Sequence, residues 1–248
     1  MSRLVFALGV IAFATAGGRA DTTVRSGPAK VSLVELYTSE GCSSCPPVEK
    51  WLGGLRDDPG LWRRFVPVAF HVNYWDNLGW RDALATKAFT QREYAYAEAW
   101  GAPSVYTPCV VRDGAESRAA VPDATSRAAG ELSVTGQPDG TFHVEFTPAG
   151  KAGGEFDVAV AWLGGGIVSA VRAGENSGRE LHHEFVALAL ETARLMRADD
   201  GRYRATLHLA VPPDRSLPPA PRRAVAAWVT PRGKLAVIQA AGGWLTAP

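Results

Sequence analysis

The stretch KVSLVELYTSEGCSSCPPVEKW, residues 30–51, narrows the fold more than any other part of the chain. Val31 to Thr38 is rich in β-branched and aromatic residues bounded by turn formers, the composition of a strand. After the SEGC turn, Val48, Trp51, Leu52 and Leu55 recur at helical spacing. Pro46 and Pro47 fit such a helix only in its first turn, where their missing N–H groups break no ladder. Gly53-Gly54 limits its length. RRFVPVAFHVNYW then supplies a second strand, roughly Phe65 to Val72. Strand, helix, strand in this order predicts a parallel pair joined by a crossover helix.

Further along, NYWDNLGW (73–80) crowds three aromatic residues and an Asp-Asn pair into one loop, and a helix is expected over about Thr86 to Ala99. VYTPCVVRDG reads as a strand that meets a turn at Asp113-Gly114 and returns through AESRAAV as a hairpin. PDATSRAAG is expected to form a short closing helix starting at Pro122. From Glu131 the pattern changes: ELSVTG, FHVEFTP, FDVAVAWL, GIVSAVRA, YRATLHLAV, RAVAAWVT and KLAVIQA mostly alternate, separated by Gly, Pro and Asp. Alternation favours antiparallel strands with one buried face. GENSGRELHHEFVA is the least regular insert, and PPDRSLPPAPRR reads as an extended loop. A strand running into Cys-x-x-Cys and a helix, then a later Thr-Pro before a hairpin strand, resembles the thioredoxin fold. The expected fold class is therefore an α/β thioredoxin-like N-terminal domain, residues 21–130, followed by a mainly antiparallel β-sandwich-like domain, residues 131–248.

Residues 1–20, MSRLVFALGVIAFATAGGRA, have an early basic residue, a short apolar run and small residues near Ala20, the layout of a secretory signal peptide. Removal would leave a periplasmic or secreted protein of about 228 residues. Retention would leave a membrane anchor, the one membrane contact the sequence suggests. Without this segment 24 basic residues face 25 acidic ones. With no basic stripe interleaved with aromatics, nucleic acid is not expected as a partner.

Export changes how the three cysteines read. Disulfides persist outside the cytoplasm, and three cysteines are too few for a stapled scaffold. A cysteine at the start of a helix meets unpaired backbone N–H groups and the positive end of the dipole, which favour its thiolate. On that ground Cys42 is the attacking thiol, and the spacing lets Cys45 resolve a mixed disulfide. An inert local disulfide and a metal site are the alternatives. Cys109 reads as a buried core thiol, a third redox partner, or one ligand of a copper or zinc site made with Cys42, Cys45 and His71.

The motifs VELYTSEGCSSCPP, FHVNYWDNLGW, YTPCVV and AGENSGRELHH resemble the DUF1223 family, bacterial exported proteins with a thioredoxin-like domain. The resemblance implies the same roles for Cys42 and Cys45, with Cys45 the more buried. It also implies that Thr107-Pro108 is a cis-proline loop beside the pair, presenting backbone groups of Thr107 to an extended substrate. The Cys109 that follows departs from the family pattern, and Pro46-Pro47 departs from a thioredoxin helix start. Glu35 shares strand parity with Val31, Leu33 and Tyr37, so it either stands buried behind the dithiol as a proton carrier or lies at an exposed edge. Tyr74, Trp75 and Trp80 form either a substrate-facing rim or a self-packed lid. Glu175, Asn176, His182 and His183 suggest a ligand set, but adjacent strand histidines point to opposite faces. Their expected role is support at the interface between the domains.

The function this supports is a thiol–disulfide oxidoreductase acting on protein or peptide thiols and disulfides, with a separate redox partner and no diffusible cofactor. The contrasting reading is a copper- or zinc-binding or protein-binding module without turnover.

Overall fold

The computed structural model describes residues 21–150, 153–210 and 217–245. Its strands are β1 (Thr22–Arg25), β2 (Ser32–Thr38), β3 (Phe65–His71), β4 (Cys109–Arg112), β5 (Ala115–Ser117), β6 (Gly130–Gly136), β7 (Thr141–Pro148), β8 (Phe156–Gly165), β9 (Ile167–Ala170), β10 (Glu180–His183), β11 (Val186–Arg197), β12 (Tyr203–His208), β13 (Arg222–Pro231) and β14 (Gln239–Trp244). Two helices, α1 (Pro46–Gly54) and α2 (Lys87–Trp100), complete the first half.

β2 and β3 pair in parallel, Ser32 opposite Phe65 through Thr38 opposite His71, with α1 in the crossover. Pro46 and Pro47 occupy the opening positions of α1, where they displace no intrahelical bond. α2 starts where the Thr86 hydroxyl accepts the Phe89 N–H, and it ends at left-handed Gly101. β4 runs antiparallel to β2, and β4–β5 turns through Asp113 and Gly114, both at positive φ.

β3 is flanked on its other side by β11, whose first residue Val186 pairs in parallel with Ala69. β8 pairs antiparallel with β11, β13 with β8, and β14 with β13, so the first-half sheet continues into the second half. The far end of β11 turns to pair with β12, leading to β7, β6 and β1. These last four strands form the outer layer of a β-sandwich-like region.

Strand alternation decides which core each side chain enters. Ala159, Ala161, Leu163, Ala224, Ala226, Trp228 and Ala240 face a core shared with Leu33, Leu36, Tyr37, Phe65, Phe70 and Phe89. Their neighbours Val158, Val160, Val225, Ala227, Val229 and Ala241 face a second core with Leu132, Val134, Phe142, Val144 and Phe146. Burial of one such Phe or Leu contributes roughly 1.5–3 kcal/mol, so both cores depend on this middle layer.

One sequence expectation of the fold is corrected, and two described strands lie where the sequence reading placed no element. PDATSRAAG forms no helix: residues 122–127 are irregular and mostly exposed, and Ala128 bridges to Ala29. With almost no apolar face to bury, the segment has nothing to hold a helical turn against the fold. The residues ahead of Lys30 contain strand β1, which pairs with β6. Residues 186–197 form the longest strand, although their Ala, Leu, Glu, Arg and Met suit a helix; pairing on both edges overrides that preference. Among the described residues no helix is long and apolar enough to cross a membrane. The signal-like segment, residues 1–20, lies outside the described residues, as do residues 212–216 of the Pro-rich loop.

Candidate functional site

The chain leaves β2 at Thr38, turns through Ser39–Gly41, and enters α1 with Cys45 as the residue before its first helical position. Cys42 and Cys45 are joined as a disulfide, Cα atoms 5.4 Å apart. The Cys42 N–H donates to the Ser39 carbonyl at 3.1 Å, and the Cys45 carbonyl accepts from Glu49 N–H at 3.1 Å. The helix start thus fixes both ends of the pair. Ser43 and Ser44 are exposed, yet Cys42 and Cys45 are each 0% exposed. The expectation that Cys45 is the more buried partner is therefore corrected: both are sealed.

The seal comes from residues more than 130 positions away. β9 and β10 form a two-stranded hairpin whose loop, residues 171–179, lies over the cysteine turn. Buried Asn176 donates its amide to the carbonyls of Glu40 and Cys42, both at 2.9 Å. Glu175 accepts the Ser43 N–H at 3.1 Å, and the Ser43 hydroxyl first, with that N–H second, holds its carboxyl below the usual range. Arg179 in turn orients Asn176 by donating to its side-chain oxygen at 2.8 Å. The irregular insert of the sequence is this cover.

Trp75 connects the pair to the proline loop. Gly41 is required beneath it, because a Cβ there would lie 2.9 Å from the Trp75 Cβ. The Trp75 indole N–H donates to the Thr107 hydroxyl at 2.8 Å, and Thr107–Pro108 is cis. Trp80 donates to Glu40 at 2.6 Å. Both tryptophans are half-buried, and each spends its indole N–H on a bond within the fold. Tyr74 is also half-buried; burial first, and the neighbouring Glu93 charge second, raise its hydroxyl pKa.

Cys109 opens β4 opposite Tyr37 and is a buried free thiol. Burial, followed by the Glu93 charge, pushes it up to about 12, so it stays a thiol at neutral pH. Glu35 is fully buried but committed elsewhere: it accepts from Arg92 at 2.7 Å, Tyr96 at 2.5 Å and Tyr37 at 3.3 Å. Arg92 also lies over Phe70, Tyr96 and Trp228. A carboxylate so paired is a structural anchor of the shared core.

Beneath the cysteine turn lies a buried polar cluster. Glu49, one turn after Cys45, accepts from the Thr38 hydroxyl at 2.5 Å and pairs through Oε2 with His183 Nδ1 at 2.5 Å. His183 Nε2 lies 3.4 Å from Glu40 Oε1. His71 Nδ1 contacts Asp82 Oδ2 at 2.7 Å, and the Glu40 N–H donates to the same oxygen. The two imidazoles meet edge to face, centroids 5.0 Å apart. Burial works against charge on His183, but Glu40 and Glu49 outweigh it and lift the pKa to about 10. Asp82 raises His71 in the same way, also against burial. Glu49 and Asp82 are lowered, because their histidine partners outweigh desolvation.

Among the described residues, the one group of three ligand-type side chains within 4.8 Å of one another is Glu49, His71 and His183. Cys42, Cys45 and Cys109 do not join His71 in such a group, and the first two are bonded to each other. Strand parity correctly separated His183, buried on β10, from exposed His182, which pairs with Glu180 at 3.3 Å. Glu40, Glu49 and Asp82 were not singled out by sequence. The one available signal was the four-residue step from Cys45 to Glu49, which puts both on one helix face.

Two solved structures share the fold. Protein AGR_C_4864 from Agrobacterium tumefaciens matches with a TM-score of 0.58 and 22% identity, covering 89% of this chain and 99% of its own. HBP35 of Porphyromonas gingivalis matches with a TM-score of 0.60 and 16% identity, covering 89% of this chain and 76% of its own. No curated protein sequence matches significantly. The family described as "Protein of unknown function (DUF1223)" matches residues 33–230, and with a thioredoxin-like region carrying the Cys42–Cys45 pair the chain belongs to that family.

Proposed function

We propose that this is an exported thiol–disulfide oxidoreductase acting on protein or peptide substrates through Cys42 and Cys45. The observation that carries this reading is the disulfide between them at the start of α1, tied through Trp75 to the cis Thr107–Pro108 loop. In the reduced protein the Cys42 thiolate attacks one sulfur of a substrate disulfide, and the other sulfur leaves as a thiolate. Cys45, deprotonated, then attacks Cys42 in the mixed disulfide and releases the second substrate thiolate. The substrate gains two electrons, and two protons complete its thiols. The Cys42–Cys45 disulfide forms in exchange and is reset by a thiol-bearing redox partner; the same steps run backwards oxidise a substrate dithiol.

Because both sulfurs are covered, the loop over residues 171–179 must lift before exchange. Thr107 and Pro108 then form the wall for an extended substrate, with Tyr74, Trp75 and Trp80 as the aromatic rim. The segment at residues 1–20 supports a periplasmic or secreted location.

A glutathione redox titration of the protein lacking residues 1–20, with mass mapping of alkylated thiols, tests this reading. We expect one two-electron transition confined to Cys42 and Cys45, with Cys42 alkylated first on reduction. A pair that does not cycle near neutral pH, or equal reactivity at both thiols, would remove the oxidoreductase assignment.

A further inference from the structure

We propose that Glu49, His71 and His183 form a divalent transition-metal site beneath the cysteine turn, using no sulfur ligand. The three side chains come from α1, β3 and β10, segments distant in sequence, and all are buried. Their ligand-type atoms lie within 4.8 Å of one another. In a tetrahedral shell with metal–ligand bonds of about 2.0–2.1 Å, neighbouring donors stand roughly 3.4 Å apart. The His183–Glu49 pair therefore widens around an ion, while His71 draws inward.

The remaining hydrogen bonds select the donor atoms. His71 uses Nδ1 for Asp82, and its Nε2 is buried without a hydrogen-bond partner. His183 Nε2 is also buried without a hydrogen bond, its ion-pair contact being Glu40 Oε1 at 3.4 Å, and His183 Nδ1 faces Glu49 Oε2 at 2.5 Å. The site is thus His71 Nε2, His183 Nδ1 and Glu49 Oε2. Each imidazole has a carboxylate on its other nitrogen, and Thr38 holds the second oxygen of Glu49. Carboxylates placed behind ligating histidines fix the tautomer and raise ligand basicity. Two imidazoles and one carboxylate suit zinc-class ions rather than calcium or magnesium.

Charge balance agrees. Among the described residues, Glu40, Glu49 and Asp82 are the acids that contact the two imidazoles. A divalent ion would bring positive charge among three acidic side chains.

The test is a Co2+ titration of the oxidised protein carrying Cys109→Ser, which has no free thiol. We expect about one equivalent of Co2+ with visible d–d absorption and no thiolate-to-cobalt charge transfer. Glu49→Gln should abolish the absorption, and Asp82→Asn should weaken binding by roughly 10–100-fold. His71→Asn serves as a second ligand variant if Glu49→Gln does not fold, as judged by circular dichroism. Absence of stoichiometric Co2+, or binding undiminished in a folded ligand variant, overturns the site. Redox cycling of Cys42 and Cys45 in metal-free protein is a separate measurement and does not depend on this result.

Discussion

Glu93 illustrates how one buried carboxyl sets a pH response. It lies on α2, is 3% exposed, and neither side-chain oxygen has a hydrogen-bond partner. Burial pushes its pKa from an ordinary 4.5 up to about 7. The folded protein therefore holds this proton up to about pH 7, whereas the unfolded chain releases it near 4.5. This contribution to stability falls as pH rises through that window and then levels, by about 3 kcal/mol at most. Glu93→Gln should flatten the slope and raise the urea midpoint at pH 8 relative to the parent; an unchanged slope would assign it to another group. Glu35, also buried, shows why strand parity gives half an answer. Parity with Val31, Leu33 and Tyr37 left both a buried and an exposed position open, and the commitment to Arg92 was not legible, because that arginine lies 57 positions away on another element. The same limit hid Glu40, Glu49 and Asp82: acids in a turn, helix and loop read as solvated until His71 and His183 arrive from distant strands.

The β9–β10 hairpin is the element that most changes the meaning of the cysteine motif. Asn176 contributes two hydrogen bonds to the covered turn, and Glu175 a third on the exposed side. Asn176→Ala should loosen the cover and speed dithiothreitol reduction of Cys42–Cys45 several-fold, followed by quenched alkylation. It should also destabilise the fold by about 1–3 kcal/mol, because two buried carbonyls lose their donor. Equal reduction rates in variant and parent would show that the cover does not limit access. Elements whose identity depends on local pattern were legible: β2, α1, β3, α2 and the β4–β5 turn fall close to their expected positions. β11 was not. Its residues favour a helix locally, and its strand identity comes from pairing with β8 along its length, β3 at its start and β12 at its end. No periodicity within residues 186–197 encodes those partners.

At the scale of the molecule, the middle layer of β8, β13 and β14 is packed on both faces and makes the two halves mutually dependent. Residues 21–130 alone lack Leu163, Trp228 and the alanines that close the first core, and leave the β3 edge uncovered. That fragment should show no cooperative thermal transition and should associate in size-exclusion chromatography, in line with an exposed sheet edge and apolar face. A monomeric fragment with a sharp melt would show that the first half is self-sufficient. The separation of the cover from the cysteines also has a consequence in time. A chain made from its N-terminus presents Cys42, Cys45 and Cys109 before Asn176 and His183 have been synthesised. At that stage neither the seal nor the buried cluster can choose which thiols pair. Selection rests on proximity alone, and closing a ring across two serines is far easier than closing one across the 63 residues between Cys45 and Cys109. The short spacing of the motif therefore also protects the order of assembly, leaving the third thiol reduced for β4 to bury.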